Sequence, residues 1–368
     1  MLSAVLLLLT SCQGGGTALS LTGDGIEMRH AHLLTLTEGD GYVCAEITNP
    51  WDTATVLHRY VLVQRDKELP KELPEGDVVR IPLQNTVVYT SVHCGLINEL
   101  DAFSAVKGVC GARYISLEKC VKGIANGTIA DLGEDTSPNM EKIIDINPDA
   151  ILLSPFQNSG NYGRLGKLGI PIIECADYME NEALGRAEWM RFYGLLYGKE
   201  AKADSLFASI EKEYTQLRDS VAAIDNLAKP TVIADLKFGS SWYVVGANST
   251  TGRLFADAGA DYVFNDEKAS GSVPYDPEVV FDRGQGADIW LIKYNQALPK
   301  TYDELARDYS NYAQMKAFTT RNIYACNTHF VPFYEETPYH PERLLRDYIK
   351  IFHPDLLPNH KLRYFQKL

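Results

Sequence analysis

The chain has 368 residues, is 45% hydrophobic and 23% charged, and carries a formal net charge of −13. That length and composition leave room for two domains, or one large one, with an ample core. The acidic balance argues against nucleic acid and against a basic membrane-binding face, and it disfavours a strongly anionic ligand unless cations cluster locally.

Residues 4–10 form a short apolar run, too short to span a bilayer. It ends in Leu9-Thr10-Ser11-Cys12. That spelling resembles the lipobox of bacterial lipoproteins, in which the Cys is acylated. Residues 1–12 are thus expected to be a signal peptide with Cys12 lipidated, although no Lys or Arg precedes the apolar run. The Gly-rich stretch from Gln13 to Thr17 reads as a tether. Export implies an oxidising compartment. The other six cysteines show neither CxxC nor metal-ligand spacing, and they are read as buried thiols or as partners in an undetermined pairing.

Residues 13–84 are read as the tether and a β-rich extension. Strands at 33–37 and 42–47 flank Glu38-Gly39-Asp40-Gly41, a hairpin signal. Further strands are expected at 56–64 and 78–82. From Thr86 an α/β rhythm begins, with strands at 87–89, 106–109, 151–154 and 170–175 and helices at 96–103, 141–144 and 184–197. The rhythm resumes after Pro230, with strands at 231–236, 290–293 and 323–326 and a closing helix at 341–352.

Between these halves lies 199–229, free of Gly and Pro. Leu206, Ile210, Tyr214, Leu217, Val221 and Ile224 recur at steps of four or three, one face of a helix. Fully helical, it would be roughly 45 Å long. On either side the sequence repeats itself. Pro138, Glu141 and the apolar run after Asp149 correspond to Pro277, Glu278 and the run after Asp288. Pro and an early Glu suit a helix start, and an unbroken apolar run suits a parallel strand covered on both faces.

On these residues the chain resembles the helix-linked (class III) substrate-binding lipoproteins of ABC importers for iron complexes and cobalamin, over roughly residues 84–352. The resemblance implies two Rossmann-like α/β sandwich lobes, at 85–198 and 230–368, joined by a single long α-helix at 199–229. It implies a ligand held between the lobes, no resident cofactor, a monomer, and membrane association through the lipid alone. The partners it implies are an ABC permease and its ATPase, with Glu141 and Glu278 as the docking carboxylates, one per lobe.

In parallel α/β sheets, ligands lie beyond the carboxyl ends of strands. Those ends supply Tyr89, Thr90, Ser91, His93, Phe156, Gln157, Asp177 and Tyr178 in the first half, with Arg186 at a nearby helix start. The second half supplies Lys237, Phe238, Ser240, Trp242, Tyr243, Tyr294, Asn327, His329 and Phe330. Aromatics with polar handles suit the flat faces and rim of a bulky ligand: haem, cobalamin or a ferric siderophore. The tetrapyrrole-like ligands fit the scattered arginines better. Several of these aromatics also fit plain core positions. One rival is a bare metal-ion binder using His93, Asp177, Asp235 and His329. Another is a surface adhesion protein built on the extension. An α/β enzyme is a third, but no GxSxG, P-loop, GxGxxG or HExxH is present, and Asp177, Glu188 and Asp235 share no catalytic spacing.

Overall fold

The structure, a computed structural model, describes residues 24–158 and 162–368. The expected signal peptide and Cys12 lie outside the described residues. Among the described residues, no helix is long and apolar enough to cross a membrane.

The extension is one five-stranded sheet, β1 (Asp24–Ile26), β2 (Leu34–Gly39), β3 (Tyr42–Thr48), β4 (Val56–Gln64) and β5 (Asp77–Ile81), in that spatial order. The hairpin forms where the Gly-Asp-Gly turn predicts it, with Gly41 at a positive φ and Leu34 opposite Ile47. β5 closes the sheet parallel to β4. The extension is bolted to the lobe behind it. The Tyr60 hydroxyl donates to Ile172 O and accepts from Glu174 N, both at 2.8 Å. Two buried carboxylates grip the backbone before β2. Glu188 accepts from the N–H groups of Arg29, His30 and Ala31, and Glu180 from those of His32 and Leu33. Such charge-assisted bonds explain how two acids can lie buried without a basic partner at full contact.

The first lobe holds β6 (Thr86–Val88), β7 (Val106–Val109), β8 (Ala130–Asp131), β9 (Ala150–Leu153) and β10 (Ile172–Glu174). Their order is β10-β9-β6-β7-β8, all parallel. The second lobe holds β11 (Thr231–Ala234), β12 (Lys237–Phe238), β13 (Ser241–Val245), β14 (Asp261–Tyr262), β15 (Ser272–Tyr275), β16 (Ile289–Tyr294), β17 (Ile323–Asn327) and β18 (Gln366–Lys367). Its main sheet runs β14-β11-β16-β17-β18, with only β18 antiparallel. A separate antiparallel ribbon, β12-β13-β15, is absent from the sequence reading, as are β14, β18 and the short helices Tyr302–Asp308, Lys316–Thr319 and Phe333–Glu336.

The linking helix is Glu200–Ala222, 23 residues and roughly 35 Å, shorter than expected. It stops because Ala223 caps it and Asn226 takes a left-handed backbone, so Ile224 lies past its end. Its buried face is Ala203, Phe207, Ile210, Tyr214, Leu217 and Val221, with Leu206 only partly covered. The expected 184–197 helix is two, Ala183–Glu188 and Met190–Tyr197, broken at Trp189, whose indole N–H donates to Glu180 at 2.9 Å. Helix Pro341–Phe352 packs along the linker. Just before it, Glu335 reaches across to the first lobe and accepts from Ser116 N at 2.7 Å and Leu117 N at 3.2 Å. Those N–H groups lead into the helix Glu118–Ala125, so helix Phe333–Glu336 of the second lobe ties down the start of a helix in the first.

Candidate functional site: a cleft between the lobes

Each parallel sheet changes winding direction once, between β6 and β9 in the first lobe and between β11 and β16 in the second. Ligand crevices open at such points. A cleft of about 1160 Å3 lies there, lined by both lobes. From the first lobe come Ser91, Tyr114, Tyr178 and Arg186. The second lobe contributes most of the wall, through three groups. The ribbon brings Lys237, Phe238 and Tyr243; the ends of β11 and β16 bring Asp235, Lys293 and Tyr294; the segments after β16 and β17 bring Lys300, Asp308 at the end of helix Tyr302–Asp308, Thr328, and Tyr334 on helix Phe333–Glu336.

The local chemistry is cationic. Four basic side chains (Arg186, Lys237, Lys293 and Lys300) face two carboxylates, Asp235 and Asp308, among the described lining residues. Lys293 lies 2.6 Å from Asp235, and Lys300 lies 2.7 Å from Asp308. Burial works against the charge on Lys293, but Asp235 outweighs it and holds the ammonium pKa above its ordinary value. Asp235 itself sits at φ 64, a backbone conformation that Asp tolerates better than most residues. Arg186 donates through Nε to Asp177 Oδ2 at 3.1 Å. Burial would raise the Asp177 pKa, yet His93 and Arg186 hold it below the usual carboxylate range. Of the scattered arginines only Arg186 reaches the described cleft wall, and lysines of the second lobe supply its other cations.

Of the ligand residues expected from sequence, the cleft brings together Ser91, Tyr178, Arg186, Lys237, Tyr243 and Tyr294, along with Phe238. The others stand elsewhere, each for a local reason. Thr90 and His93 were read as a turn, but the helix Ser91–Glu99 starts there. The Thr90 side chain caps it by accepting from His93 N, and His93 falls on the inner face, buried, 3.6 Å from Asp177. Tyr89 packs against the apolar cluster beneath β9. Trp242 is fully buried; its indole N–H donates to Ala234 O at 3.1 Å, and its ring packs on Trp290 and Tyr312. Strand alternation decides this: Tyr243, one residue on, is 44% exposed and faces the cleft. Asn327 spends its amide on Gln296 and the His329 backbone. His329 is exposed beside Phe330 and off the cleft wall. Phe156 and Gln157 line a different cavity.

The reading missed Tyr114, Lys293, Lys300 and Tyr334. Tyr114 follows β7, so the strand-end rule would have found it. Lys293 was hidden inside an apolar strand. The metal quartet does not assemble, and no group of three or more His, Cys, Asp or Glu able to hold a metal occurs among the described residues. The six described cysteines are buried free thiols. Glu141 and Glu278 are exposed in the first turns of Met140–Ile146 and Pro277–Gly284, capped by Asn139 and Asp276.

Comparison with known proteins points to the same two-lobed fold. The family model for periplasmic binding proteins matches residues 87–329. An uncharacterised lipoprotein of Methanocaldococcus jannaschii is 27% identical over 326 residues, 84% of this chain and 76% of its own. A second from the same organism is 24% identical over 323 residues, covering 85% of this chain and 81% of its own. Among solved structures, a TroA-like periplasmic binding protein from Veillonella parvula superposes with a TM-score of 0.58 at 17% identity, covering 79% of this chain and 96% of its own. A periplasmic heme binding protein from Pseudomonas aeruginosa gives 0.58 at 14% identity, covering 74% and 93%. At such identities the structures speak for the fold alone. With the family match spanning most of the chain and two sandwiches joined by one helix, the protein belongs to the periplasmic binding protein family, in its helix-linked form.

Proposed function

We propose that this protein is the extracytoplasmic binding component of an ABC importer. In this reading it is anchored through a lipid on Cys12, captures a bulky iron complex or corrinoid between its lobes, and delivers it to a permease. The observation that carries the reading is the cleft itself. Its volume of about 1160 Å3 exceeds the ~300–1,000 Å3 of ordinary small-molecule pockets, and four cations and five tyrosines face it. Tyrosine rings cover flat faces, while Arg and Lys hold anionic groups at the rim. This favours a ligand with carboxylates, such as haem or an anionic ferric siderophore, over a neutral corrinoid. Glu141 and Glu278, exposed on separate lobes, fix the register on the permease by charge complementarity.

Titration of tryptophan fluorescence with haemin, cyanocobalamin, a ferric siderophore and zinc tests the ligand. Saturable quenching by an iron complex, weakened by Tyr243→Ala, is expected. A response to zinc alone, or chemical turnover of any of the four, would overturn the reading.

A further inference from the structure

Arg186 is the one charged side chain that the first lobe gives to the described cleft wall. It lies on helix Ala183–Glu188, past the short turn Ala176–Met179 that follows β10. Its Nε donates to Oδ2 of Asp177 in that turn, whose side chain is only 1% exposed. His93, equally buried on the inner face of Ser91–Glu99, brings Nε2 to 3.6 Å from the other oxygen, Oδ1. A carboxylate this buried stays ionised only against a fixed partner, which makes the Arg186 contact a rigid one.

An arginine carries five N–H donors in one plane, and Asp177 takes one of them. Among the described residues, none accepts from Nη1 or Nη2 of Arg186, although the side chain lines the cleft and is 20% exposed. The lysines opposite are held differently. Lys293 and Lys300 are paired with Asp235 and Asp308, and Lys237 donates to Gly239 O. Each is also a point charge on a flexible stem, without a planar fork. A guanidinium pinned at Nε and open at Nη1 and Nη2 matches the two oxygens of a carboxylate, and a group already oriented loses less freedom on binding.

We infer that Asp177, braced by His93, is a positioning residue: it aims the free edge of Arg186 into the cleft, where that edge takes a carboxylate of the ligand. This role presupposes the importer reading of the cleft and goes further, to the side chain that selects the ligand and the group that holds it in aim.

Two pairs of probes test it by tryptophan fluorescence: haemin against its dimethyl ester, and ferric citrate against ferrichrome. The parent should bind the carboxylate-bearing member of at least one pair at least about tenfold more tightly. Arg186→Lys, which keeps the charge and loses the fork, should cut that preference several-fold, and Asp177→Asn, with Arg186 intact, should do the same. In the double variant the two losses should not add, since Asp177 acts through Arg186. A purely structural Asp177 would lower stability and leave the preference alone. If Asp177→Asn does not fold, the Nε–H resonance of Arg186 in the parent decides. Identified by its loss in Arg186→Lys, it should be protected from exchange with solvent. The proposal is overturned, with the cleft reading intact, if carboxylate-free complexes, cyanocobalamin included, bind alone or as tightly. It is equally overturned if the preference survives either single variant, if the losses add in full, or if that proton exchanges freely. Binding of none of these complexes overturns both.

Discussion

The two lobes carry the same pin in the same place. Asp149, just before β9, accepts from the N–H groups of Gln84 and Asn85, which lead into the neighbouring β6, and pairs with Arg65 at 2.7 Å. Asp288, just before β16, accepts from the N–H and hydroxyl of Thr231, which begins the neighbouring β11, and pairs with Lys316. Each carboxylate ties the amino ends of two adjacent parallel strands at the winding switch. The repeated Asp in the sequence is therefore a structural device, and the cleft lies at the opposite, carboxyl ends. There the lobes differ. The second adds the β12-β13-β15 ribbon at the cleft and supplies most of its wall. The first instead carries the extension on its outer strand, away from the cleft. A shared frame has been elaborated on different sides, once towards the cleft between the lobes and once on the outer strand of the first lobe.

The comparison can be broken first on the ribbon. Trp242→Ala should cost about 3–5 kcal/mol in urea unfolding, because it empties a packed core. Tyr243→Ala on the other face should cost less than about 1 kcal/mol while weakening cleft binding. Equal costs would show that the two faces had been misassigned. Next come the pins. Asp149→Ala strands two backbone donors and an arginine, and about 1–3 kcal/mol is expected. Asp288→Ala, at a more exposed pin, should cost nearer 1 kcal/mol by the same measurement. A further test is the pH profile of the second pin. The Lys316 and Thr231 bonds hold the Asp288 pKa down to about 2. An unfolded Asp titrates near ~3.9, so this stabilisation is complete above that value and is lost as pH falls through the folded value. The urea midpoint of Asp288→Asn should therefore decline less than the parent's between those two pH values. The smallest stability effect belongs to Glu141→Lys and Glu278→Lys, within about 0.5 kcal/mol of the parent for such surface sites. Together they should abolish uptake by cells without altering ligand affinity in solution. Loss of that affinity would remove their docking role.

Periodicity was enough to locate most strands and the long helix. β4 and β7 fall on the expected residues, as does the closing helix Pro341–Phe352. It was not enough for the first turn of Ser91–Glu99. Thr90 to Gly95 is polar and reads as a loop, but Thr90 is a helix cap, and that single shift of boundary turned His93 inward. The ribbon was missed because its strands are short and pair antiparallel across a turn at Gly239 and a distant return at Ser272.

By itself the sequence determined the repeated α/β units, the linking helix and the carboxylate at the head of each central strand. These follow from patterns local to a few turns or one strand. Only the tertiary structure decided which strand-end residues share a space. Burial of alternate side chains, the antiparallel return of β15 and the packing of the extension on β10 depend on partners far apart in the chain. That is why neighbours such as Trp242 and Tyr243 part company, while Arg186 and Lys293 meet across one cleft.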